Sequence, residues 1–481
     1  MASNQKTNAF LAEEEFQPAS PSSEYLNSSV LSLTILAVFE SEIPIDDSAT
    51  ITLLRDQFLP INTRFSSILV RDEKGRQVWK RAHIHIEDHV KVPHFPAGLP
   101  PDSYDGYLQD YLSKIALEQL PNNRPLWEIH IIKYPTSDAP GTIVFKLHHA
   151  LGDGFSLMGA LFSYLKRADD PSLPLTFPSS YSSKTGSETS RGSIFHICNK
   201  VSNIVAGCWY TASDFVSSVL HSTLLEDDRT VIRSGTPQVE FKPISISTVT
   251  FSLDRVREIK SRIAGTVNDV VVGVIFYAIQ LYKQKMVGHR SDGGERMTAL
   301  VLLNTRMING YQSVNDMLSQ KTWGNHFTFL PIPIPCCKDT DNENPLKFIN
   351  KAKETIKRKK NSLAVYLTGR LLDTLRSIRG PKAVSRYSHS TLKNTSIAIS
   401  HMVGPKEKLA IGGHPIKGLY FTVVGAPQSL ALTILSYMGN LRVMVAAEKG
   451  FINSQLLVSC LKEAYHNIYR EACGIEITET K

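Results

Sequence analysis

The sequence predicts two α/β units joined by a polar linker. Three observations lead there. Strand-like and helix-like stretches alternate up to about residue 170 and again from Thr248 onward. Between them, Asp170 to Ser193 is rich in Ser, Pro, Gly and Thr and lacks apolar periodicity. A chain of 481 residues is long enough for two cores of ordinary size. The expected divisions are 1–169, a linker over 170–193, an apolar to amphipathic connection over 194–247, and a second unit over 248–481.

In the first unit, Val30 to Phe39 is apolar and β-branched and reads as a buried strand. Ile51 to Leu59 reads as a short helix, and the alternation of Val78 to Glu87 reads as a strand. Tyr104 to Leu120 has helical spacing and stops at Pro121. Leu126 to Lys133 and Thr142 to Leu147 are two further strands, and Phe155 to Lys166 is an amphipathic helix.

In the second unit, Val249 to Ser252 is a strand and Asp254 to Ile263 a helix closed by Gly265. Thr266 caps the next helix, which runs to Gln284, with Asp269 three residues on in the capping-box place. Thr298 to Leu303 and Ser396 to Ser400 read as strands, the latter opening a Gly/Pro loop. Pro345 to Lys360 and Ser362 to Leu375 read as helices, the first strongly basic. Leu430 to Glu448 carries Met438-Gly439-Asn440 between alternating runs, a hairpin signal, and Ser454 to Glu471 is a closing helix.

Ile194 to Leu224 is apolar but interrupted by Lys200 and Asp214, which leaves too short a run to span a bilayer. It fits an interfacial helix or one packed on the protein. The N-terminus has no basic segment followed by an apolar one, so no secretory signal is expected. A hydrophobic fraction of 42% with 20% charge excludes a disordered chain. The net charge of +8 suits an anionic partner such as a membrane surface or a nucleotide-bearing co-substrate. No basic stripe carries interleaved aromatics, so no nucleic-acid partner is expected. The six cysteines form no C-x-x-C pair and read as reduced thiols.

The strongest chemical feature is His148-His149-Ala150-Leu151-Gly152-Asp153-Gly154, between a strand and a helix. Successive strand side chains point to opposite faces, so the two histidines cannot share one role while the strand persists. A neutral imidazole is a suitable base near neutral pH. Gly152 and Gly154 clear space for a bulky substrate, and Asp153 is placed to cap the helix. A metal site is conceivable, but adjacent histidines rarely bind one ion and no further ligands cluster nearby, so none is expected.

The pattern His-His-x-x-x-Asp-Gly at a strand end resembles that of CoA-dependent acyltransferases with the chloramphenicol-acetyltransferase-like fold. Pro125-Leu126-Trp127, Asn268-Asp269, the run from Ser400 to Pro405, Arg64-Phe65 and Asp88-His89-Val90 narrow the resemblance. Together they resemble the bifunctional wax ester synthase/diacylglycerol acyltransferase family in its plant form, over residues 18 to 473.

This resemblance implies a two-domain fold of mixed sheets flanked by helices, with the active site in a tunnel between the domains. It implies His149 as general base and His148 as a residue shaping the site. Asp153 would be mainly structural, held by a buried basic partner that the sequence does not identify. Asn268 would lie close to the reacting centre and is the candidate oxyanion donor. Pro125, Leu126 and Trp127 would shape the acyl-binding region, although core packing explains them equally well. One departure is His401, where relatives usually carry Asn after the Ser.

The implied activity is transfer of an acyl chain from acyl-CoA, a co-substrate rather than a cofactor, to a long-chain fatty alcohol or to diacylglycerol. The implied place is the cytosolic face of the endoplasmic reticulum membrane. Two rivals stand beside it. One is the same fold with another acceptor, although the Asp-Phe-Gly-Trp-Gly segment of soluble plant relatives is absent. The other is a non-catalytic lipid-binding protein. The basic cluster of Lys351, Lys353, Lys357, Arg358, Lys359 and Lys360 reads as a solvated face, a contact for CoA phosphates, or one for anionic lipid head groups.

Overall fold

The computed structural model describes residues 16–73, 75–173, 175–176, 210–288, 294–306, 312–336, 344–360 and 362–474. Most of the expected linker, the stretch 194–209, Cys198, Cys208 and Cys337 lie outside the described residues. Among the described residues the strands form three sheets.

The first large sheet runs in the order Val90–Lys91, Trp127–Ile132, Gly141–His148, Thr34–Ser41, His414–Val424, Leu409–Ile411 and Lys166–Arg167. Its two middle strands from the first half, Thr34–Ser41 and Gly141–His148, are buried at every position. Such continuous apolar burial calls for cover on both faces and a hydrogen-bonding neighbour on both sides. Thr34–Ser41 finds its second neighbour in His414–Val424, which pairs antiparallel with it along almost its whole length. The boundary expected near residue 170 therefore does not divide this sheet, because two strands from beyond residue 400 complete it.

The second large sheet runs Phe327–Pro333, Thr298–Asn304, Ile397–Val403, Leu430–Tyr437, Asn440–Glu448 and Ile244–Ser252. Thr298–Asn304, Ile397–Val403 and Leu430–Tyr437 are mutually parallel, so their C-terminal ends share one edge. Helices Leu346–Lys360, Ala364–Arg379 and Pro381–Lys393 lie in the connection that such parallel pairing needs. The edge carrying these strand ends is where open α/β sheets usually place ligands.

Local chemistry sets several elements as expected. Thr266 and Asp269 form a reciprocal capping box at the start of Val267–Val287. That helix is long and apolar enough to cross a membrane, yet it is wrapped inside the second core, against Phe348, Leu457 and Leu461 among others. The hairpin between Leu430–Tyr437 and Asn440–Glu448 turns on Met438 and Gly439, both with positive φ, as a two-residue type I′ turn requires.

The strand expected over Val78 to Glu87 is shorter, Gln77–Arg81. Its partner Ser67–Arg71 begins at the residue facing Arg81, so later residues have no ladder to join.

The two large sheets meet through apolar side chains and through ion pairing by Arg442. Leu36, Val38, Val144 and Tyr420 from the first pack with Ile246, Met444 and Ala446 from the second. Arg442 reaches across to Glu40, with Nη2 to Oε1 at 2.8 Å, and lies over the Tyr420 ring.

Candidate active site

Strand Gly141–His148 delivers both histidines to the junction of the sheets. The backbone N–H of His148 donates to Leu126 O at 3.0 Å, and that of His149 to Leu33 O at 2.8 Å. Both rings are buried. Their hydrogen bonds separate their roles.

The Nδ1 of His148 accepts the backbone N–H of Ala150 at 3.0 Å. The ring is therefore the tautomer with its proton on Nε2, which donates to Ser32 Oγ at 3.0 Å. Burial, with the neighbouring His149 adding to it, pushes its pKa down to about 3. Both nitrogens are occupied and the ring stays neutral.

His149 is arranged differently. Its Nδ1 lies 2.7 Å from Asn325 Oδ1, while Asn325 Nδ2 donates to the carbonyl of His149 at 2.8 Å. The second bond sets which way the Asn325 amide points, so its oxygen must accept a hydrogen bond from the Nδ1–H. Nε2 is left with a free lone pair, and among the described residues it has no hydrogen-bond partner. Burial lowers the pKa of His149, opposed by the Asp153 charge and the Asn325 bond. The ring of Phe327 lies 5.5 Å from that of His149.

Asp153 caps helix Gly154–Tyr164 by accepting the Ser156 N–H at 3.0 Å. Its buried basic partner is Arg306, which follows strand Thr298–Asn304. Arg306 Nη1 to Asp153 Oδ2 is 2.7 Å and Nη2 to Oδ1 is 3.0 Å, a bidentate pair. Arg306 also donates to Thr322 O, Gly324 O and Ser156 Oγ, and its guanidinium lies 4.7 Å from the Phe155 ring centre. Asp153 Oδ2 further accepts the His326 N–H at 2.9 Å. This network pins the segment Trp323 to His326, and with it Asn325, against the histidines.

Other expected site residues have other surroundings. A side chain at Gly152 would meet Ser156, and one at Gly154 would run into Met402, so protein occupies the space a side chain would take at both glycines. Pro125, Leu126 and Trp127 are buried. Trp127 donates to Phe65 O at 2.9 Å and stacks on His89, which makes it part of the first core. Asn268 is half-buried in the first turn of Val267–Val287. Among the described residues no hydrogen bond joins it to His148, His149 or Asp153. Asn325 is the amide hydrogen-bonded to the base.

His401 lies on the strand Ile397–Val403, next to Met402, and burial pushes its pKa down to about 4. Two cavities approach the histidines. A polar one of about 460 Å³ is lined by Ser32, His148, Arg71 and Gln77 among others. A small apolar one of about 50 Å³ is lined by Leu33, Leu300, Phe327 and Phe329, so it reaches the ring against His149.

The family model for the wax ester synthase/diacylglycerol acyltransferase catalytic domain matches residues 53–271, and that for the C-terminal domain of the same family matches 323–469. The chain belongs to this family. As a wax ester synthase/diacylglycerol acyltransferase family member, it is an acyltransferase. Wax ester synthase/diacylglycerol acyltransferase 4 of Arabidopsis thaliana is 29% identical over 92% of this chain and 87% of its own length. Number 11 of the same series is 29% identical over 94% of both chains.

The fold is shared with the family's enzyme from Marinobacter aquaeolei VT8, at a TM-score of 0.59 and 15% identity, over 95% of this chain and 100% of that one. A starter condensation domain of rhizomide synthetase, solved in complex with C8-CoA, matches at a TM-score of 0.53 and 14% identity, over 95% and 94%. The expected two-domain acyltransferase fold is thus the one observed.

Proposed function

We propose that this protein moves an acyl chain from acyl-CoA to the hydroxyl of a long-chain alcohol, and also to diacylglycerol, with His149 as general base. One observation carries the assignment of the base. His149 keeps Nε2 free because Nδ1 is tied to Asn325, whereas both nitrogens of His148 are engaged. The Nε2 lone pair takes the hydroxyl proton as the alcohol oxygen attacks the thioester carbonyl. The tetrahedral intermediate expels the CoA thiolate, and the imidazolium returns the proton to that sulfur. No acyl-enzyme forms. The relatives' names support the two acceptors.

The cytosolic face of the endoplasmic reticulum suits these substrates, since both acceptors are lipids. Reduced cysteines fit a cytosolic face: Cys336, Cys460 and Cys473 are free thiols. The acceptor reading is tested with purified protein, one long-chain acyl-CoA, and either hexadecanol or diacylglycerol. Ester is expected from both. Release of CoA with neither acceptor consumed would remove the proposal.

Because burial holds His149 below the ordinary histidine range, it is neutral at and above neutral pH. The rate is therefore expected to be flat there and to fall only on the acid side, below about 6.5. Replacing Asn325 by Asp places a carboxylate beside Nδ1, which stabilises the imidazolium. The acid limb of the pH–rate profile should move to higher pH in Asn325→Asp, and Asn325→Leu should lower kcat more than it changes KM. An unmoved limb in Asn325→Asp would mean that Asn325 does not orient the base.

A further inference from the structure

A helix over 210–223 and the helix Ala364–Arg379 lie side by side on the outside of the second unit. Leu363 N–H donates to Thr211 Oγ1 at 3.3 Å, and Ser218 shares one small cavity wall with Thr368. Their inner anchor is Asp214, which is buried and paired with Lys359 at 3.1 Å and Arg358 at 3.2 Å. That pairing uses two members of the basic cluster as structural groups. A third, Lys353, donates to Ile263 O.

The outer face is unusual. Leu363 is 66% exposed, Tyr366 59% and Val216 53%, with Leu367 and Tyr210 exposed beside them. Positions 363, 366 and 367 share one face of their helix, so these side chains form a patch. Single exposed apolar residues are ordinary, but a contiguous group marks a contact surface. Lys357, Lys360 and Arg370 are exposed around it, with Arg358, held by Asp214, exposed beside them. Arg358 lies over the Tyr210 ring and Arg370 over that of Tyr366. The carboxylate Asp214 faces inward, and Asp373 is the exposed acid further along the helix.

We infer that this patch docks on an anionic phospholipid surface, with Leu363, Tyr366, Leu367 and Val216 entering the head-group region and the Lys and Arg side chains meeting lipid phosphates. The inference rests on the acyltransferase reading above and names the surface through which it meets its lipids. Apolar side chains ringed by cations match the two terms that hold proteins at such interfaces. The small apolar cavity lies directly beneath, walled by Ser218, Thr368 and Leu372 from these helices and by Phe327 from the site. A lipid acceptor leaving the bilayer under this patch is thus on the side of Phe327 and His149.

The test uses the full chain with vesicles of equimolar phosphatidylcholine and phosphatidylserine, and with phosphatidylcholine alone. Wild type should sediment with the mixed vesicles, less so in high salt. Leu363→Ser/Leu367→Ser and, separately, Lys357→Glu/Lys360→Glu should each bind at least about tenfold more weakly. These residues are exposed, so the melting temperature should match wild type, and turnover of a water-soluble short-chain alcohol should be unchanged.

Undiminished vesicle binding in both double variants would overturn the inference, as would equal binding of wild type to phosphatidylcholine alone. A wild type that is dimeric in solution and a monomeric leucine variant would assign the patch to a second copy instead. Absence of transfer to any acceptor by wild type would count against the acyltransferase reading, while the vesicle result would still decide the docking surface.

Discussion

His149→Ala lowers acyl transfer by about 10²–10⁴-fold, the usual contribution of a positioned general base, and leaves the fold in place. The backbone bond from His149 to Leu33 survives the change, and the lost side chain frees only the Asn325 amide. His148→Ala should behave differently. It strands the buried Ala150 N–H and leaves the half-buried Ser32 hydroxyl without its partner, so its main effect should be on stability. The comparison is read from single-turnover rates and denaturation midpoints of both variants. Wild-type turnover in His149→Ala, or a purely kinetic loss in His148→Ala, would move the base to the other histidine or away from both.

His148 adds a pH signature to stability. Its pKa is about 3 when folded, against an ordinary value of 6.5. Between those values the unfolded chain binds the proton and the folded one does not, so stability rises with pH across this window. The contribution is complete above pH 6.5 and is lost as pH falls toward 3.

Asp153→Ala should be the most damaging single change for the fold. It removes a helix cap, and it leaves Arg306 charged and buried, with a side chain only 1% exposed. Leaving one member of a buried pair alone costs about 3–5 kcal/mol, a large share of an ordinary domain's stability. Arg306→Met in the Asp153→Ala background removes the stranded charge and should recover part of the loss, seen as non-additivity in urea denaturation. Simple additivity would mean that the pair contributes little and that the cap alone is at work.

What the sequence revealed, and what it hid, follows from distance along the chain. The strand, the heptapeptide and the helix around His149 are local, as are the Thr266–Asp269 capping box and the turn at Met438 and Gly439. Each was legible because its partners lie within a few residues. Arg306 and Asn325 come from far along the chain, and neither stands in a recognisable spacing with the histidines. A buried cation for Asp153 was expected without a name, and the arginine just after strand Thr298–Asn304 supplies it.

The strand His414–Val424 was masked by Pro415 and Gly418, residues that argue against a central strand. The structure accommodates them with a register shift between Ile416 and Gly418. The helix Pro381–Lys393 likewise lies outside the elements expected from the sequence. Asn268 stands half-buried in the first turn of its expected helix, and among the described residues no hydrogen bond joins it to the histidines.

The borrowed strand in the first sheet has a consequence for synthesis. When the first 170 residues have left the ribosome, Thr34–Ser41 still lacks one neighbour, and an apolar edge waits for about 250 more residues to arrive. Such an open edge invites mispairing. The nascent chain thus depends on protection until its last quarter emerges. Expression of the first half alone would yield an incomplete sheet rather than a smaller enzyme.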